Sequence, residues 1–166
     1  GDKPNAKLHI VVADPADGTI VADELLPAGM RKVRTEIATR AEHLWSPNDP
    51  YLYDVTATLE FGAAKSQGKQ EKLQQESQEK QDIVRSYCAF RTVEIKPDLK
   101  GIARFHLNGK PVFLKGVLDQ GYWPDSHLTP PSEAALIEDI EKIQRLGYNG
   151  VRKHQKIEDE RFLYWC

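Results

Sequence analysis

Four side chains towards the C-terminal end of the sequence have the chemistry of a binding site: Asp119, Trp123, Arg152 and His154. Arg152 could hold a carboxylate through two parallel hydrogen bonds and keep it ionised by lowering its pKa. His154 lies two residues after Arg152, so both point to the same face if this segment is a strand. Asp119 can accept hydrogen bonds, and Trp123, beside Tyr122, offers a flat apolar surface for stacking. These are the residues that we expect to contact a ligand.

Each of these side chains also has an ordinary structural role that the sequence leaves open. Arg152 could form a structural ion pair, and a lone histidine such as His154 often has a structural role. Asp119 could stabilise a loop or cap a helix. Trp123 could pack against neighbouring residues and contact no ligand.

The segments that must position these residues follow a strand–helix–strand–helix order. Residues 112–118 are almost wholly apolar, which is typical of a strand buried on both faces. After a proline-rich loop, Ser132 is a suitable N-cap and Gly147 a suitable C-terminal stop for a helix. The apolar positions between them have helical spacing; they are Leu136, Ile140, Ile143 and Leu146. With a second strand over residues 148–154 and a second helix over 158–166, the order predicts parallel βαβ structure.

Upstream of this region the pattern is that of β structure. Asn108 and Gly109 predict a tight hairpin, because this pair suits the positive φ angles of a type I′ turn. The remaining predicted strands are short and separated by turn signals, which favours a β-sandwich; they cover residues 7–13, 19–22, 33–39, 51–61 and 82–95. Residues 62–81 are mostly polar, and we interpret them as a flexible hairpin tip, with a regulatory or binding element as the alternative.

The composition excludes several classes of function. The 166 residues carry a net charge of −2, which gives no footprint for nucleic acid or an anionic membrane. No apolar run reaches the roughly 20 residues that span a bilayer, and the first residues do not form a signal peptide.

Cys88 and Cys166 lack metal-ligand spacing, and we expect two free thiols, with a disulfide between them as the alternative.

Four segments of the sequence, taken together and in order, resemble the family 2 glycoside hydrolases, which include β-galactosidases, β-glucuronidases and β-mannosidases. They are LWSPNDPYLY at 44–53, FRTVEI at 90–95, LNGKPVFLKGV at 107–117 and LGYNGVR at 146–152. The resemblance implies a multi-domain fragment, in which part of an immunoglobulin-like β-sandwich is followed by the first βα units of a (β/α)8 TIM barrel. We expect the sandwich over residues 1–97, with its N-terminal strands outside the chain, and the start of the barrel over 98–166.

The resemblance also implies roles for the candidate residues. Arg152 matches the arginine of an Asn-x-x-Arg motif, where it would pair with the nucleophile carboxylate, and His154 matches a histidine of the same segment. The sequence RKHQK at 152–156 departs from the usual Ser-His-Tyr-Pro ending, so the resemblance does not indicate which sugar is bound. Asp119 would then bind a sugar hydroxyl and Trp123 would stack on a pyranose ring.

The expected function is therefore that of part of a retaining hydrolase of β-linked carbohydrates. A retaining glycosidase needs two carboxyl groups about 5 Å apart, and the two catalytic glutamates of the family lie beyond this chain. Glu158 and Glu160 begin a helix and do not end a strand, so we expect neither to be catalytic. The chain alone should then be inactive, and a non-catalytic carbohydrate-binding or scaffolding module is the alternative. The resemblance implies no organic cofactor, and the sequence shows no metal site. Because two βα units without the rest of a barrel leave apolar surface uncovered, we expect residues 98–166 either to be less stable than the sandwich or to self-associate.

Overall fold

The computed structural model describes residues 6–28, 32, 34–61 and 81–166, and β-strands predominate among them. The chain forms two compact units. One consists of Gly1–Trp45 with Tyr51–Arg91, and the other of Ser46–Pro50 with Thr92–Cys166. The predicted boundary between domains at residues 97 and 98 stays a prediction. The predicted polar insertion over 62–81 lies outside the described residues, except that Gln81 begins a strand.

The first unit contains an antiparallel sheet of four strands in the order β2-β1-β3-β4. The strands are β1 (Ala6–Ala13), β2 (Ile20–Pro27), β3 (Tyr53–Phe61) and β4 (Gln81–Cys88). The first two predicted strands are confirmed, and they form a hairpin in which β1 pairs antiparallel with β2. Its loop is closed by Gly18, whose N–H donates to Asp14 O at 2.9 Å.

The core of this unit lies at one end of the sheet, around Tyr53, which is 1% exposed. Its hydroxyl accepts a hydrogen bond from the His43 N–H at 3.1 Å. Its ring meets those of Tyr51 and Phe90 edge to face, with 5.2 Å between centroids in both pairs. Aromatic pairs in this arrangement contribute about 0.5–1.5 kcal/mol beyond the burial of their area. Tyr53 therefore fastens the loop before β3 to the sheet.

Two of the strands predicted in this region differ from the structure. The strand predicted over 33–39 is absent from its described residues, 34–39, although Ile37 packs against the core and the Arg40 N–H donates to Val21 O at 2.8 Å. The continuous strand predicted over 82–95 is interrupted, because Phe90 O accepts from the N–H of Trp45 in a loop. Alternation indicates which side chains share a face, but it does not supply a partner strand.

The second unit begins with an antiparallel sheet of three strands in the order β5-β6-β7. These are β5 (Val93–Pro97), β6 (Ala103–Leu107) and β7 (Lys110–Pro111). The turn predicted from Asn108 and Gly109 is confirmed, since their φ angles are +51° and +74°. Both angles lie in the left-handed region that a type I′ turn requires.

The parallel unit follows, and its elements are β8 (Gly116–Asp119), α1 (Glu133–Arg145), β9 (Gly150–Lys153) and α2 (Glu160–Trp165). The parallel pairing of β8 with β9 confirms the predicted strand–helix–strand arrangement. The strand predicted over 112–118 is wrong in its first half, where Phe113 is 78% exposed and the main chain instead extends the preceding hairpin. An apolar run by itself does not separate a buried strand from an exposed segment.

Helix α1 begins and ends where its sequence predicts. The Ser132 hydroxyl accepts a hydrogen bond from the Ala135 N–H at 3.1 Å, as an N-cap does. At the other end, Gly147 has a φ angle of +84°, and the Tyr148 N–H donates to Ile143 O at 3.3 Å. Together with the bond from the Gly147 N–H to the carbonyl of residue 144, this is a Schellman motif.

The described residues therefore contain small antiparallel sheets, as expected for part of a β-sandwich, and one parallel βαβ unit followed by a helix. None of the helices in the described ranges has the length and apolar composition needed to span a membrane. Cys88 and Cys166 are both free, as predicted.

Candidate functional site

The candidate residues lie where β8 and β9 end, side by side. The parallel register pairs Asp119 with Lys153 and Leu118 with Arg152. Successive residues of a strand point to opposite faces. Asp119 and Lys153 therefore share one face, and the contact of Lys153 with Phe162 of α2 shows that this face carries the helices, while Arg152 points to the opposite face.

On the helical face, four charged side chains form a connected cluster, which we call the strand-end cluster: Asp119, Lys153, Lys156 and Glu158. Lys153 forms an ion pair with Asp119, and its Nζ lies 2.6 Å from a carboxylate oxygen of Glu158. Lys156 Nζ lies 3.0 Å from the other oxygen of Glu158. The Glu158 side chain is 4% exposed and the other three are 14–19% exposed, so the cluster is largely shielded from water.

The strand-end cluster also fixes the loop that follows β8. Lys156 Nζ donates to Gly121 O at 3.1 Å and to Leu128 O at 2.8 Å, so it spans the loop. Asp119 accepts a hydrogen bond from the Gly121 N–H at 2.6 Å. Gly121 has a φ angle of +66°, and a Cβ there would lie 2.6 Å from Lys156 Nζ. Only glycine fits this position without displacing the lysine.

Hydrogen bonding in the cluster outweighs the effect of burial on the charged groups. Burial alone would raise the pKa of Glu158, but hydrogen bonds from Lys153, the Asp159 N–H and Lys156 bring it below its ordinary value. Burial alone would likewise lower the pKa of Lys153, but its bonds to Asp119 and Glu158 raise it above its ordinary value. Both groups are therefore charged at neutral pH.

A cleft of about 200 Å³ lies beside the cluster. Its walls combine aromatic and aliphatic side chains with the charged groups; they include Tyr122, Trp123, Pro124, Leu136, Asp139 and Phe162. Burial, reinforced by the negative charge of Asp119, raises the pKa of Asp139 above its ordinary value. Lys153 Nζ lies 3.9 Å from the centroid of the Phe162 ring, which adds a cation–π contact.

Arg152 and His154 lie away from this cleft. The Arg152 side chain is exposed, and it makes no ion pair or hydrogen bond with any other residue that the structure describes. The His154 N–H donates to Asp119 O at 2.9 Å, which extends the pairing of the two strands by one residue. The His154 ring lies against Gln120, with Nδ1 3.0 Å from Gln120 Nε2.

The structure thus divides the four predicted residues into two pairs. Asp119 and Trp123 line the cleft on the helical face, whereas Arg152 and His154 are not among its lining residues. Asp119 is already occupied by an ion pair with Lys153 and by the Gly121 N–H. Their roles in binding stay predictions.

Asn149 links the N-terminal ends of the two parallel strands. Its side chain accepts a hydrogen bond from the Lys115 N–H at 2.7 Å and donates to Phe113 O at 2.9 Å. It therefore ties the start of β9 to the segment before β8.

Sequence reasoning missed Lys153, Lys156, Glu158 and Gln120 as parts of this region. The one available signal was the strand periodicity, which puts Lys153 on the face opposite Arg152. Within the described ranges, no group of His, Cys, Asp and Glu side chains could hold a metal ion.

No protein-family model and no curated protein matches the chain. Several solved structures do match. A β-glucuronidase from Parabacteroides merdae aligns with 99% of this chain at a TM-score of 0.71 and 21% identity. The chain has the fold of a β-glucuronidase segment. This confirms, at the level of fold, the resemblance to family 2 glycoside hydrolases.

Two further structures give the same result. An FMN-binding β-glucuronidase from Facaelibacterium prausnitzii L2-6 aligns with 100% of the chain at a TM-score of 0.74 and 22% identity. A β-glycosidase from Bacteroides vulgatus aligns with 100% of the chain at a TM-score of 0.68 and 21% identity. The chain covers 18%, 22% and 19% of these three proteins, so it spans about a fifth of the length of the glycosidases that it resembles.

Proposed function

We propose that this chain is part of a glycoside hydrolase of the family 2 type, which hydrolyses β-linked carbohydrates with retention. In this proposal residues 1–97 belong to an immunoglobulin-like sandwich and residues 98–166 contribute the first units of a (β/α)8 barrel. The β8–α1–β9 unit supports the barrel assignment, because parallel strands joined by helices are its repeating element.

The observation that carries the proposal is the state of Arg152. It stands near the C-terminal end of β9 with a charged, exposed side chain and no partner in the described part of the chain. Active sites of these barrels form at the C-terminal ends of the strands. A guanidinium held there can pair with a carboxylate, orient both of its oxygens and keep it ionised as a nucleophile.

The proposed chemistry assigns different roles to the two faces of β9. Retaining hydrolysis uses one carboxyl group to protonate the leaving oxygen and a second, about 5 Å away, to attack the anomeric carbon. We assign neither role to this chain, since Glu158 is engaged by two lysines and Glu160 begins α2. Arg152 and His154 would position groups around the sugar, while the strand-end cluster supports the opposite face.

Asp119 and Trp123 stay in the proposal in narrower roles. Trp123 lines the cleft next to Tyr122, where a pyranose ring could stack on an aromatic face. Asp119 has one carboxylate oxygen bonded to the Gly121 N–H and the other paired with Lys153. Because both of these oxygens already have partners, Asp119 would affect sugar binding indirectly, by holding the loop that follows β8 in place. The neighbouring enzymes are β-glucuronidases, one of them in complex with D-glucuronic acid, so β-glucuronides are the substrate class to test first.

The proposal is tested with two proteins, the 166-residue chain and the product of its complete gene. Each is incubated with the 4-nitrophenyl β-D-glucuronide, β-D-galactoside and β-D-mannoside. We expect the complete protein to hydrolyse at least one of them and the chain to hydrolyse none, because it lacks the carboxyl pair. Hydrolysis by the chain would overturn the assignment of its residues. A complete protein that binds these sugars without cleaving them would instead be a non-catalytic carbohydrate-binding module.

Self-association of the chain is a separate part of the proposal. Sedimentation velocity of the 166-residue chain should show a dimer or larger species at micromolar concentration, because apolar side chains of the parallel unit such as Leu118 and Leu146 are exposed. A monomer over the whole concentration range would contradict it.

A further inference from the structure

The contact between Gln120 and His154 restricts which nitrogen of the imidazole carries a proton. Gln120 Nε2 lies 3.0 Å from His154 Nδ1, and an amide nitrogen donates hydrogen bonds but does not accept them. His154 Nδ1 must therefore act as the acceptor in this arrangement. A neutral imidazole with an unprotonated Nδ1 carries its proton on Nε2.

The backbone holds the two residues in place for this contact. The His154 N–H donates to the carbonyl of Asp119 at 2.9 Å, so the chain after β9 stays paired with the end of β8. Gln120 is the next residue after Asp119, which brings its side chain within reach of the imidazole. In the described ranges, no hydrogen bond is formed by His154 Nε2.

We propose that Gln120 is a positioning residue that fixes His154 as the Nε2–H tautomer and presents this N–H as a donor close to Arg152. The ligand group that fits is an oxygen acceptor, either a sugar hydroxyl or a carboxylate. The identity of that ligand rests on the proposed hydrolase function, whereas the tautomer does not.

The proposal distinguishes substitutions at residue 120 by the hydrogen-bonding groups that they offer. Gln120→Leu keeps the size of the side chain but removes the donor, so both tautomers of His154 become accessible. Gln120→Glu replaces the donor by a carboxylate acceptor, which favours a proton on Nδ1 and leaves Nε2 without one. The two variants should therefore change the tautomer of His154 in different ways, which a purely structural role for residue 120 does not predict.

The test is a two-bond ¹H–¹⁵N correlation spectrum of the 166-residue chain labelled with ¹⁵N-histidine, recorded at about pH 8, where imidazoles with ordinary pKa values are neutral. The pattern of cross-peaks reports the tautomer of each of the five histidines, and His154→Asn identifies the signals of His154. Gln144→Leu, a change on the exposed side of α1, is the matched control. Backbone amide spectra show whether each variant keeps the paired strands.

We expect the Nε2–H pattern for His154 in the unmodified chain and in Gln144→Leu. Averaged nitrogen shifts are expected in Gln120→Leu and the Nδ1–H pattern in Gln120→Glu. An Nδ1–H tautomer in the unmodified chain, or an identical tautomer in all the folded variants, would overturn the proposal. Because the spectra are recorded without carbohydrate, this outcome is independent of whether the complete protein proves to be a hydrolase.

Discussion

Replacing Glu158 by glutamine should destabilise the second unit far more than the same change at an exposed ion pair. The oxygens of the Glu158 carboxylate lie 2.6 Å from Lys153 Nζ and 3.0 Å from Lys156 Nζ, and the Glu158 side chain is 4% exposed. Glutamine keeps the shape, but it removes the charge and turns one acceptor into an NH₂ group that faces an ammonium group. The matched control is Glu138→Gln on α1, where the pair with Lys142 is exposed.

The size of the expected loss in stability depends on the partners that Lys153 and Lys156 retain in the variant. Removing one partner of a buried ion pair costs about 3–5 kcal/mol when the other charge is left alone. Here Lys153 retains Asp119, and Lys156 retains the carbonyls of Gly121 and Leu128. We therefore expect a loss of about 2–3 kcal/mol, close to that of one or two hydrogen bonds to charged groups. The control should lose about 0.3–0.5 kcal/mol, as is usual for an exposed helical pair.

Amide hydrogen exchange of the second unit measures this loss where it occurs. The informative amides are those of Gly121 and His154, which are bonded to Asp119 at the end of β8. A loss of about 2–3 kcal/mol should accelerate their exchange roughly 30- to 150-fold. Exchange within about twofold of the unmodified chain, or equal effects of Glu158→Gln and the control, would refute the view that the cluster fixes this loop.

The pH dependence of stability tests the role of the Glu158 carboxylate independently. The folded-state pKa of Glu158 lies below its ordinary value of 4.5, so its contribution is fully present above that pH and is lost as the pH falls through the folded-state pKa. The difference in stability between the unmodified chain and Glu158→Gln should therefore shrink in acid. A difference that stays constant from pH 7 down to about pH 2 would contradict this assignment.

Three further predictions concern other parts of the chain. Gly121→Ala should cost at least about 1 kcal/mol more than Gly101→Ala in urea unfolding, because both glycines have positive φ angles but a Cβ meets neighbouring atoms only at Gly121; equal losses would argue against crowding. Asn149→Ala removes two hydrogen bonds to the segment before β8 and should destabilise the second unit by about 1–3 kcal/mol, and an unchanged unfolding midpoint would contradict this role. Cys166 is exposed and Cys88 is half-buried, while burial raises the pKa of both thiols, so iodoacetamide should alkylate the more accessible Cys166 first, as mass spectrometry can determine; equal rates would contradict this difference in accessibility.

Features set by a few neighbouring residues could be predicted from the sequence. The turn at Asn108 and Gly109 and the ends of α1 at Ser132 and Gly147 depend on local φ angles and local hydrogen bonds. The parallel pairing of β8 with β9 followed from the order of the elements alone. In each case the residue type restricts the backbone directly, so no distant partner has to be known.

Features that depend on distant partners could not be predicted in the same way. Residues 33–39 alternate like a strand, but the described part of that range pairs with no strand, and Phe113 is apolar yet exposed. Lys153 and Glu158 were not recognised as a buried pair, because charged residues are normally solvated and their spacing in the sequence gives no sign of burial. Gln120 acquires a role only because the register brings it next to His154.

We propose that Arg152 belongs to the active site of a glycoside hydrolase, and the kcat/KM of the complete protein reports on this role. The measurement compares Arg152→Met with Arg145→Met, which removes an exposed arginine paired with Glu141 on α1. We expect Arg152→Met to lower kcat/KM on the preferred β-glycoside by about 100-fold or more, corresponding to about 3 kcal/mol of transition-state stabilisation. Arg145→Met should leave it within about twofold. Equal activity of the two variants, or no hydrolysis by the complete protein, would contradict a role for Arg152 in such an active site.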